Sequence, residues 1–166
     1  MFTLKPISRS GIKAALERAE RYRLLNEPRL AESICLDILE VESENQEAIV
    51  MLLLSLTDQF DSSNSSTLFK QAKALLPRIS NEYEKVYYAG LICERMGKSV
   101  IDKKIPDYKH TSYEWIRDAM DHYEAAESLR PADDDSVLLR WNTCVRIISR
   151  YNLEPRREDR TPQFLE

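Results

Sequence analysis

Apolar and small residues along this chain recur at spacings of three and four, and no stretch keeps the period-two alternation of a half-buried strand. The spacing predicts seven helices, over 9–26, 28–42, 45–60, 66–78, 81–97, 111–130 and 134–151. Ala, Leu, Glu, Arg and Lys fill these segments, and only three glycines occur in the whole chain. The fold class is therefore all-α. Pro28 suits the first turn of a helix, Gly97 suits a helix end, and Pro131 stops a helix outright. The polar run Asp61–Thr67 predicts a loop whose last hydroxyl, Thr67, caps the fourth helix. Residues 98–111 carry four lysines, two aspartates and Pro106, and read as an inserted loop. Residues 1–8 form an N-terminal arm before the helical domain, 9–151, and the polar, Pro-broken residues 152–166 read as a mobile tail.

The helices also share a longer register. Ala31-x3-Cys35-x2-Ile38-x4-Ser43 recurs as Ala119-x3-Tyr123-x2-Ala126-x4-Pro131. Six residues after each of these, a new helix begins its apolar series, Ile49-x2-Leu52-Leu53-x2-Leu56 and Val137-x2-Arg140-Trp141-x2-Cys144. Two further segments, Ala15-x2-Arg18-Ala19-x2-Tyr22 and Val86-x2-Ala89-Gly90-x2-Cys93, follow the same pattern, with Ala19 and Gly90 small enough to admit a close partner helix. Over about residues 12–151 this register resembles the tetratricopeptide repeat, with departures at Arg18 and Ser43 and a weak match in the Leu68–Leu76 helix. Cys93 and Ala119 stand 26 residues apart where Tyr22 and Ala31 stand nine apart, so the third unit carries 17 extra residues. The resemblance implies a right-handed solenoid of about three helix pairs closed by the last helix as a C-terminal cap.

Composition narrows the function classes. The 166 residues are 43% apolar and 31% charged with a net charge of −4, as in a folded soluble domain. The densest apolar run, Ile49–Leu54, is far too short to span a bilayer, and residues 1–10 hold no secretory signal, so no membrane partner and a cytoplasmic location are expected. A pI near 5.4 argues against nucleic acid as the partner. Cys35, Cys93 and Cys144 form no paired motif and read as reduced core thiols. No phosphate-binding loop, nucleophile elbow or zinc-protease motif occurs, so no catalytic residue, cofactor or metal is expected. Asp118 and His122, one helical turn apart, read as a surface pair; with His110 and the inserted loop they define an alternative reading as a small metal-dependent or acid-base enzyme. Asp133, Asp134 and Asp135 read as caps for the last helix.

The resemblance implies binding rather than chemistry: a protein-interaction adaptor or scaffold holding a peptide or helix in a concave groove. Transferred onto this chain, the groove positions are Lys13, Leu16, Glu20 and Arg23 in the first helix, then Glu47, Val50, Leu54 and Asp58 in the third. Glu84, Tyr87, Leu91 and Arg95 follow in the fifth, and Leu138, Asn142 and Arg146 in the cap. These lack the regular Lys and Asn ladder with which some members clamp a C-terminal carboxylate. Of the cluster Tyr83, Tyr87, Tyr88, Tyr87 is expected to face outward as an anchor. Trp141 is expected in the core, and Trp115 either there or as a pin on the inserted loop. Lys103, Lys104 and Lys109 define a secondary surface for an acidic partner segment. A third reading is a self-associating structural module, a homo-oligomer whose groove is filled by a second copy or by the tail.

Overall fold

The structure is a computed structural model, and it describes residues 1–157. Seven α-helices and no strand occur among them: α1 (Ile12–Leu24), α2 (Pro28–Val41), α3 (Gln46–Thr57), α4 (Ser65–Leu75), α5 (Glu82–Asp102), α6 (Tyr108–Glu127) and α7 (Ser136–Tyr151). No helix of these residues is long and apolar enough to cross a membrane. Single 3-10 turns precede α1 at Arg9–Gly11 and follow α4 at Leu76–Arg78.

Local chemistry sets three of the helix starts. Pro28 opens α2, where its missing N–H is not needed. Asn45 and Asn81 cap α3 and α5 by accepting from the backbone N–H groups of Ala48 and Glu84, at 2.9 and 3.0 Å. Thr67 is not a cap: α4 begins two residues earlier at Ser65, and no side chain caps it.

The inserted loop is the main correction. Most of residues 98–111 is helical: α5 runs through Gly97 to Asp102, α6 starts at Tyr108, and only 103–107 connect them. Continuing the helix buries Val100 and Ile101 and lets the Ser99 hydroxyl donate to the Phe60 carbonyl at 2.6 Å. That gain outweighs the roughly 1 kcal/mol helix cost of one glycine. Gly97 serves close packing, since a Cβ there would lie 3.0 Å from Ile116 Cδ1 and 3.1 Å from Trp115 Cβ. Pro106 does mark the break, between left-handed Lys104 and Asp107. The extra residues thus lengthen a helical hairpin.

Each helix packs on the next in sequence, and α1 also touches α3, and α3 touches α5. Helices α1, α3 and α5 accordingly lie side by side. One core cluster gathers α1–α5 around Ile49, Leu53, Phe60, Ile79 and Ile92, and another gathers α5–α7 around Ile116, Tyr123, Val137 and Cys144. Trp115 packs against both, its ring edge-on to Phe69 with centroids 5.0 Å apart, and Trp141 is half-buried against the second. Ala19 is fully buried, and a Cβ on Gly90 would lie 2.7 Å from the Tyr123 ring, so Gly90 sits at a close contact.

The beginning of the supposed tail is anchored. Leu153 is buried, Arg156 pairs with Asp107 at 2.9 Å and Glu114 at 2.8 Å, and His110 Nδ1 donates to the Glu154 carbonyl at 2.9 Å. The rest of that segment, 158–166, lies outside the described residues.

Candidate functional site

Turns of α1 and α3 bring four of the groove positions together. Lys13, Leu16 and Glu20 recur on one side of α1, and the Asn45 cap starts α3 so that Glu47 falls in its first turn with Met51 one turn further on. These residues, with Arg9, Ile12, Glu17 and Glu42, line one open cleft of about 460 Å³. Ile12 is buried beneath it, and Leu16 and Met51 are half-buried. Beyond Glu47, Val50 and Leu54 continue along α3, half-buried against the first core cluster.

Further along these helices the polar groups bind one another. Arg23 of α1 donates through Nε to Asp58 at 2.7 Å, and Arg95 of α5 pairs with the same carboxylate and donates to the Thr57 hydroxyl at 2.8 Å. The three side chains are only 18–23% exposed, so this rung braces α1, α3 and α5. Predicted as contacts for a partner, Arg23, Asp58 and Arg95 are instead engaged within the chain.

The α5–α7 end is also closed. Glu94 is fully buried and accepts the Tyr123 hydroxyl at 2.7 Å and Arg140 Nη1 at 3.3 Å. Burial, then the Glu94 charge, pushes the Tyr123 hydroxyl far above the ordinary tyrosine range. Arg140 also reaches the Tyr87 hydroxyl at 3.4 Å. Tyr87 is therefore not an outward anchor: its ring lies 5.2 Å from Tyr88 and 5.9 Å from both Tyr83 and Tyr123. Burial, followed by the Glu84 charge, lifts Tyr88 to about 12. Leu91, 1% exposed, belongs to the core. Leu138 is half-buried against the second cluster, whereas Asn142 and Arg146 are exposed on α7. Glu94 was missed because neither repeat spacing nor a motif marks it, and Arg140, though it falls at a repeat position, carries no sign of its partner; an acidic residue within the largely apolar Leu91–Met96 stretch was the available signal.

The lysines divide. Lys103 donates to the Ser62 carbonyl at 2.9 Å and the Ser65 hydroxyl at 3.1 Å, tying the hairpin to the α3–α4 loop, while Lys104 and Lys109 are exposed. Asp118 is exposed and His122 half-buried on α6, and no group of three or more His, Cys, Asp or Glu among the described residues could hold a metal ion. Asp134, not the N-cap residue Asp135, accepts the Ser136 N–H at 2.9 Å, and hydrogen bonding to Ser136 holds its carboxyl below the usual carboxylate range. All three cysteines are buried and free, and burial pushes the thiols up to about 12 at Cys35 and Cys144 and about 11 at Cys93. Comparison with protein-family models, with curated proteins and with solved structures finds no match to this chain.

Proposed function

We propose that this chain is a tetratricopeptide-like solenoid acting as a cytoplasmic adaptor, which holds a peptide or helix of another protein against the shared face of α1, α3, α5 and α7 and performs no chemistry itself. The observation that carries the reading is the cleft between α1 and α3, where Lys13, Leu16, Glu20 and Glu47 converge over a partly apolar floor. The burial of Ala19 and the close contact at Gly90, at the small-residue places of the repeat register, support the solenoid. Grooves of this kind take up extended or helical segments through a few apolar anchors, with charges at the rim setting specificity.

The test is affinity capture from native extract with wild type, a Leu16→Asp variant and a Leu36→Asp control. Leu36 is 49% exposed on α2, away from the cleft. A defined protein lost with Leu16→Asp and kept with Leu36→Asp is expected, provided circular dichroism shows both variants folded. Identical capture by all three, or loss only with Leu36→Asp, would move the binding surface elsewhere.

A further inference from the structure

The cleft and its surroundings have a sign. Three nearby arginines are satisfied within the chain: Arg23 and Arg95 share Asp58, and Arg140 lies on buried Glu94. The carboxylates over the cleft are not. Glu17, Glu20 and Glu47 are exposed and make no hydrogen bond or ion pair among the described residues, while Glu42 has Arg9 at 3.8 Å and Asn45 at 3.0 Å. Four carboxylates and two cations thus line the cleft, and one of those cations, Arg9, is already paired. Beneath this acidic rim lie Ile12, Leu16 and Met51.

We infer that the occupant of this cleft is a basic amphipathic segment of another protein, its apolar side on Leu16 and Met51 and its Lys or Arg side chains reaching Glu17, Glu20 and Glu47. The inference rests on the adaptor reading and gives its partner a chemistry. An acidic segment would set like charge against the rim and find Arg23, Arg95 and Arg140 already bound to carboxylates, both of which oppose association. A basic segment gains attraction at the rim while its apolar side leaves water. Such rim charges act mainly on association rate and weaken as salt rises.

A displayed library of random short peptides, selected on the full chain, tests this without a known partner. Enrichment of Lys and Arg interleaved with Leu, Ile, Phe or Met is expected, with binding that falls as sodium chloride is raised. The double variant Glu20→Lys, Glu47→Lys, whose sites are exposed and should leave the fold intact, should weaken the selected peptides by about tenfold, from two rim pairs turned repulsive. Acidic or uncharged peptides that ignore the double variant but lose binding with Leu16→Asp would overturn the basic-partner inference and leave the adaptor reading standing. Peptides indifferent to both variants, or no enrichment, would overturn the reading with it. A concentration-dependent dimer in sedimentation that the double variant dissociates would overturn the inference in favour of a second copy of this chain.

Discussion

The α1–α3 cleft and the interior of helices α5–α7 treat their polar groups in opposite ways. The first four helices run 11–14 residues, and α1 and α3 leave a row of unpaired carboxylates over a half-apolar cleft. The next two, 21 and 20 residues long, close on each other through Gly90 and Gly97, and with α7 they direct Glu94, Tyr123 and Arg140 inward. An unpaired carboxylate costs little in water and much in a core. The free charges therefore mark the surface available to a partner, and the bound ones mark the part that is braced.

Alkaline pH gives the largest expected effect on this contrast. The thiols of Cys35, Cys93 and Cys144 rise to about 11–12 in the folded chain, while in the unfolded chain they ionise near the ordinary thiol range. The unfolded state then holds fewer protons above about pH 9, so stability is complete below that pH. It should fall by roughly 1 kcal/mol per pH unit for each buried thiol as pH rises towards the folded values. Urea unfolding across pH 7–11 should show a plateau and then a decline, which Cys144→Ala and Cys35→Ala should each make shallower. A flat profile to pH 11 would contradict the burial.

Substitution at the small-residue contacts comes next. Gly90→Leu should cost about 3 kcal/mol or more in urea unfolding, because the added Cβ already meets the Tyr123 ring at 2.7 Å and the Ala119 carbonyl at 3.2 Å. Ala19→Leu, also in a filled core, should cost about 1–3 kcal/mol. An Ala19 cost above the Gly90 cost would reverse the view that the long hairpin is the tighter half.

Removing a buried partner is smaller. Arg140→Ala leaves Glu94 with the Tyr123 hydroxyl alone and should cost about 2–3 kcal/mol, read from thermal or urea melts. Asp58→Asn on the partly exposed rung of α1, α3 and α5 should cost only about 1 kcal/mol. Equal costs would mean that the two halves are braced alike. Smallest is Arg156→Ala, whose exposed pairs with Asp107 and Glu114 should be worth at most about 1 kcal/mol and fade in high salt.

The sequence by itself determined the all-helical class and the seven helices, whereas the meeting of Lys13, Leu16, Glu20 and Glu47 followed only from what the repeat resemblance implies. The reason for the first two is that helical periodicity is a local property, written every three or four residues. The close-contact role of Gly90 was legible for the same reason. Tertiary structure alone decided that Gly97 continues α5, because the burial of Val100 and Ile101 depends on what packs there, not on the propensity of a glycine beside lysines. It also decided which charges remain free. Arg23, Asp58 and Arg95 stand 35 and 37 residues apart in sequence, and Glu94 and Arg140 stand 46 apart. No spacing rule reaches that far, since an ion pair is set by distance through space between side chains on different helices.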